Sequence, residues 1–227
     1  MHSRRPATLL TDISIKIPRD LVLSRLKFAK YKTVADKKIF SFLTGVIKEG
    51  YTLLEPRVSY KIFDVKVTKG QIKFSGENLV IRSRFLAERL KAASKAALFV
   101  CTIGERLTDK VNEYVAKGEI AYATVLDAAG SEAAEALAQK VDDLINKEMG
   151  GEGFSSLMRF SPGYVDWSIF DQAKILKVLE AVKIGVKVTK SSIMIPEKSV
   201  TACIGLIEKG FRAVKHSDEK HNKPFKK

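Results

Sequence analysis

Between Ile120 and Lys147 the apolar positions Tyr122, Leu126, Ala129, Ala133, Leu137, Val141 and Leu144 recur at steps of three or four. That is the period of one helix face, so the spacing predicts a single helix over this whole stretch. Few soluble helices are so long. The centre of the stripe is rich in alanine, so a neighbouring element can approach its backbone closely. Gly150-Gly151-Glu152-Gly153 is predicted to break the helix and form a loop.

Elsewhere the period changes to two. Val58, Tyr60 and Ile62 alternate with polar neighbours, and Val65 and Val67 continue after an irregularity at Phe63-Asp64. Thr68-Lys69-Gly70 reads as a turn into Ile72-Lys73-Phe74, making a hairpin. Ala96 to Thr102 reads as a buried strand, with short strands around Val186–Val188, Ser192–Ile195 and Val200–Leu206.

The chain up to about Tyr51 reads as helical, with Pro18 placed before a first turn at Arg19 and a second helix over Val34–Lys48. Further helices are predicted over Arg84–Ala93, from Gly104 to Gly118, and over Phe170–Ala181. No regular strand–helix–strand alternation emerges. The expected fold is therefore α+β, a mostly antiparallel twisted sheet packed with several helices. With 227 residues and no visible linker, one unit over residues 1–214 is expected. Residues 215–227 are basic and without period, and read as a disordered tail.

Lysine and arginine exceed acidic residues by a net charge of +14, which suggests an anionic partner or a lysine-tolerant surface. The two cysteines, Cys101 and Cys203, sit in separate apolar runs and read as buried thiols in a reducing cytoplasm. The three histidines, His2, His216 and His221, lie near the termini, so no histidine-based metal site or triad is expected in the core. No apolar run approaches the roughly 20 residues of a membrane span. Arg4-Arg5 lacks a following apolar stretch, so no signal peptide is expected.

Phosphate-loop, dinucleotide-binding and nucleophile-elbow motifs are absent. The segment that stands out is Arg159-Phe160-Ser161-Pro162-Gly163-Tyr164. Arginine's planar fork can hold a carboxylate bidentately. Pro-Gly sets a turn whose backbone can approach a ligand, and tyrosine adds a flat face and a hydroxyl. Taken alone, the segment reads first as an ordinary structural turn.

The wider context carries more. Arg159–Tyr164, then Asp171-Gln172-Ala173-Lys174-Ile175-Leu176, Gly185-Val186-Lys187-Val188-Thr189-Lys190-Ser191 and Met194-Ile195-Pro196-Glu197-Lys198-Ser199-Val200 follow in one order over about fifty residues. Together they resemble the activation domain of cobalamin-dependent methionine synthase. Thr102-Ile103-Gly104, Leu53-Leu54-Glu55-Pro56-Arg57 and Asp127-Ala128-Ala129-Gly130-Ser131-Glu132-Ala133-Ala134-Glu135 resemble the short, stand-alone members of that family. The resemblance spans roughly Ile17 to Leu206.

The resemblance implies S-adenosylmethionine binding in support of reductive methylation, and so reactivation, of a corrinoid. The cobalamin would be carried by a partner, a methionine synthase or other corrinoid protein, with an electron donor such as a flavodoxin-like protein. On the family's pattern, Arg159 would pair with the methionine carboxylate, Glu135 would meet the ligand's amino end, Ser161 and Gly163 would offer backbone, and Tyr164 would help close the site. Glu132, one turn from Glu135, competes for the acidic role. Phe160 and Ser161 stand where the family has Pro and Ala, and two further ligand residues of the family, an aspartate and a tyrosine, have no counterpart here. The chain has no room for homocysteine, folate and cobalamin domains, so a component of a methyltransferase system is expected rather than a complete enzyme. Two other readings stand beside this one: an accessory or regulatory protein of the same fold without ligand binding, and a basic nucleic-acid-binding module. Against the last, aromatic residues are not interleaved with the basic clusters.

Overall fold

The computed structural model describes residues 6–11, 13–27 and 37–210. The basic tail and the first residues of the helix predicted from Val34 lie outside them. The expected α+β architecture is present. A seven-stranded antiparallel sheet separates two helical layers, in the order β4-β3-β2-β5-β9-β6, with β1 also pairing with β2. The strands are β1 (Thr8–Leu10), β2 (Arg57–Thr68), β3 (Gln71–Phe74), β4 (Leu79–Arg82), β5 (Lys95–Thr102), β6 (Phe154–Ser156) and β9 (Ser199–Glu208). A separate hairpin joins β7 (Lys187–Val188) to β8 (Met194–Ile195). The helices are α1 (Arg19–Arg25), α2 (Lys37–Thr52), α3 (Arg84–Arg89), α4 (Arg106–Ala116), α5 (Ile120–Gly151) and α6 (Asp171–Val178).

The strand β5 lies between β2 and β9 and is buried along nearly its whole length, which is why its sequence is apolar without alternation. Phe99 and Cys101 face one layer with Val58 and Ile204, under Leu126, Ala133 and Leu137 of α5. Leu98 and Val100 face the other with Phe63 and Cys203, against Leu86 and Leu90 around α3 and Ile175 of α6. The two cysteines thus belong to opposite faces. Burial pushes both thiols up to about 12, so they pack as small hydrophobes.

Several expectations are corrected. Strand β2 runs unbroken through Phe63-Asp64. The break in pattern marks a change of buried face: Val58, Tyr60 and Ile62 pack under α5, whereas Phe63, Val65 and Val67 pack on the opposite layer. Helix α5 continues through Gly150 and Gly151, and only Gly153, with φ at 87°, ends the turn. Its last turns are held by Met149, which is buried, and by Lys209 Nζ donating to the Gly150 carbonyl at 2.7 Å. The N-terminal part is not helical throughout, because Thr8–Leu10 pairs with Val58–Tyr60 as an edge strand. The alanine-rich centre of α5 does admit a close neighbour: a Cβ on Gly130 would lie 2.4 Å from Leu107 Cδ2 of α4. Among the described residues no helix is long and apolar enough to cross a membrane.

Candidate functional site

After β6 the chain continues along the edge of β9. Leu157 N donates to the Gly205 carbonyl at 2.8 Å, and Phe160 exchanges both backbone hydrogen bonds with Cys203. Extended backbone sends successive side chains to opposite faces. Phe160 is accordingly buried in the layer of α3 and α6, while the Arg159 guanidinium turns to α5.

There Arg159 meets three acceptors on one helix face. Nη2 donates to Glu135 Oε2 at 3.0 Å, and Nη1 donates to Gln139 Oε1 at 3.2 Å and lies 3.7 Å from Asp142 Oδ2. Positions 135, 139 and 142 are four and three residues apart, hence one above the next on the helix. Burial raises the Asp142 carboxyl pKa, and the Arg159 charge opposes that rise. Glu132 is committed elsewhere: Arg25 Nε donates to its Oε1 at 2.6 Å, which ties α1 to α5. Of the two acidic candidates, Glu135 is the one at Arg159.

A cleft of about 680 Å³ opens beside this pair. It is lined by Glu135, Gln139, Lys140 and Asp143 of α5, by Arg159, and by the N-terminal segment with Lys16, Pro18 and Leu21. The volume lies in the range of small-ligand sites. A cationic fork, a half-exposed carboxylate and the apolar surface of Pro18 and Leu21 suit an amino acid with an attached hydrophobic or aromatic group. Gln139, Asp142 and the strap at Lys16 were not singled out from the sequence. The helical spacing from Glu135 carried the first two; nothing local marked the third.

Ser161, Gly163 and Tyr164 form the next turn. Tyr164 N donates to the Ser161 carbonyl at 3.3 Å, and Gly163, with φ at 93°, donates its N–H to the Trp167 carbonyl at 2.8 Å. The Tyr164 ring stacks on Phe85 with centroids 6.5 Å apart and lies 6.1 Å from Phe160. It therefore stands with the α3 layer and is more than half exposed, while Arg159 and Glu135 stand with the α5 layer. The five expected site residues thus divide: Arg159 and Glu135 touch, and Tyr164 lies across the sheet edge from them.

The turn is pinned by Asp166, whose carboxylate accepts from Ser83 Oγ and from the N–H groups of Arg84 and Phe85 at the start of α3. The Ser83 hydrogen bond, followed by the two backbone donors, holds its carboxyl below the usual range. A depressed carboxylate contributes stability above its unfolded pKa and loses it as pH falls through the folded value. Wild-type protein is expected to lose melting temperature below about pH 4 more steeply than Asp166→Asn, whose amide does not titrate. Parallel melting curves for the two from neutral to acid pH would contradict this role.

Among the described residues no group of three or more His, Cys, Asp or Glu side chains is placed to hold a metal. Comparison with solved structures gives a match to the crystal structure of the MetH reactivation domain bound to AdoHcy. The TM-score is 0.65 at 16% sequence identity, over 89% of this chain and 78% of that one. No protein-family model and no curated protein matches the sequence. At this identity the likeness is one of fold.

Proposed function

We propose that this protein binds an S-adenosylmethionine-type ligand in the cleft at Arg159 and Glu135 and thereby supports reductive methylation of a corrinoid held by a separate protein. The observation that carries the reading is the Arg159–Glu135 pair at 3.0 Å lining an open cleft. The likeness of fold to a reactivation domain bound to AdoHcy supports it. So do the ordered motifs after Arg159, which resemble the activation domain of cobalamin-dependent methionine synthase.

The residues fit such a ligand. Arg159 would receive the amino-acid carboxylate, Glu135 the ammonium, and Pro18 and Leu21 would cover apolar parts of the nucleoside. When bound, the ligand supplies an electrophilic methyl group. The chain's own work is to bind and orient: Gln139 and Asp142 fix one edge of the Arg159 fork, so that its other edge faces the cleft. No general base would be required of this chain, since a reduced corrinoid on the partner would supply the nucleophile.

A second reading, a regulatory protein of the same fold without ligand, is favoured by one observation. Arg159 is already engaged by side chains of α5, and Tyr164 stands in the other layer. Thermal melting separates the two. S-adenosylmethionine and AdoHcy are each expected to raise the melting temperature progressively with concentration, as mass action requires of a ligand that binds only folded protein. Unchanged melting at millimolar ligand would favour the regulatory reading.

A further inference from the structure

The fork of Arg159 has two unlike edges. On the Nη1 edge stand Gln139 at 3.2 Å and Asp142 at 3.7 Å; the Asp142 side chain is only 19% exposed. On the Nη2 edge stands Glu135, whose side chain is 53% exposed and lines the cleft. A long, half-solvated side chain can leave an ion pair at small cost. A carboxylate that is mostly buried beside its cation cannot. Only the Glu135 edge is therefore open to exchange.

We infer that Glu135 occupies, in the empty protein, the position a ligand carboxylate takes, so that binding is an exchange of one carboxylate for another on Arg159. The inference rests on the reading that Arg159 receives a carboxylate, and it adds a rule of specificity. Within the group itself Arg159 alone answers both Glu135 and Asp142, while Lys16, Lys140 and Asp143 also line the cleft. A ligand with a carboxylate alone would take Arg159 from Glu135 and bring no cation in exchange. An α-amino acid head group brings its own cation at the distance of one carbon, and the displaced Glu135 can pair with it. Glu135 thus selects zwitterions against simple anions. Removing it lifts the competition for Arg159 but also removes the partner of the ammonium, and the two effects oppose each other only for the zwitterion.

The test is calorimetric titration of wild type, Glu135→Ala and Glu135→Gln with AdoHcy and with its deaminated analogue, in which hydrogen replaces the α-amino group. Wild type is expected to bind AdoHcy more tightly than the analogue. Glu135→Ala is expected to bind the analogue about fivefold more tightly than wild type does, the size expected for release of one partly exposed ion pair. Its affinity for AdoHcy should move by less than about threefold, because gain and loss offset. Glu135→Gln, which keeps shape but competes as a neutral acceptor, should fall between. Equal or weaker binding of the analogue by Glu135→Ala, with AdoHcy binding by wild type intact, would overturn the exchange and leave Glu135 a plain ligand contact. Failure of wild type to bind AdoHcy at all is the distinct result that removes the underlying reading, and the exchange with it.

Discussion

Trp167→Ala is expected to lower the free energy of unfolding by about 3–5 kcal/mol, the usual cost of truncating a fully buried large aromatic side chain. Trp167 is 1% exposed and packs in the α3 and α6 layer with Phe160, Ile175 and Leu176. Its backbone also closes the turn that carries Tyr164: its carbonyl accepts from Gly163 N, and its N–H donates to the Tyr164 carbonyl, each at 2.8 Å. Domains of this kind are stable by about 5–15 kcal/mol, so the loss would be a large part of the whole. Trp167→Phe should cost less, under about 2 kcal/mol, because most of the volume stays. It also removes an indole N–H that is buried without a partner among the described residues. Trp167 is the only tryptophan, so denaturant unfolding should be followed by circular dichroism. A loss below about 1 kcal/mol for the alanine variant would mean that this turn is not anchored in the second core.

Arg159→Ala is expected to weaken AdoHcy binding by roughly 30-fold or more, corresponding to about 2–5 kcal/mol for loss of one partner from a buried charge-assisted pair. Arg159→Lys should recover only part, because an ammonium cannot reproduce the planar fork that reaches two acceptors at once. The apo-protein should also lose stability, by about 1 kcal/mol, since Asp142 would be left mostly buried without its cation. The two effects differ in size, and that difference is the content of the site assignment. A large fall in apo melting temperature with affinity intact would make Arg159 a clamp between the β9 edge and α5.

The parts of this fold that were legible in the sequence are those with many periods to read. Helix α5 shows its stripe over seven apolar positions, and β5 is unmistakable as an apolar run because both of its faces are covered. Strands β1, β4 and β6 have three or four residues each, too few to establish a period; β1 and β6 are templated by the longer β2 and β9, and β4 extends the equally short β3. Helix α5 runs to Gly151, beyond the Lys147 that its apolar stripe predicts, because its glycines do not act as a stop. Glycine in a last turn costs only about 1 kcal/mol, which Met149 and the Lys209 bond offset.

At the site, the type of residue was legible but its partner was not. Arg159 reads from the sequence as a fork able to hold a carboxylate, and Glu135 as an acid on a helix. Their contact depends on which face of the β9 edge Arg159 takes, and that is set by the bridge between Phe160 and Cys203, far apart in sequence. The turn after Phe160 then places Tyr164 in the other layer, against Phe85.

The central claim is that an amino-acid-bearing nucleoside binds at Arg159. Calorimetric titration of AdoHcy into wild type and Arg159→Ala, run side by side on protein shown by circular dichroism to be folded, tests it most directly. The account requires a saturable one-site heat for wild type that falls by at least about 30-fold in affinity in the variant. Equal binding by both proteins, or no heat from wild type at millimolar ligand, would contradict it.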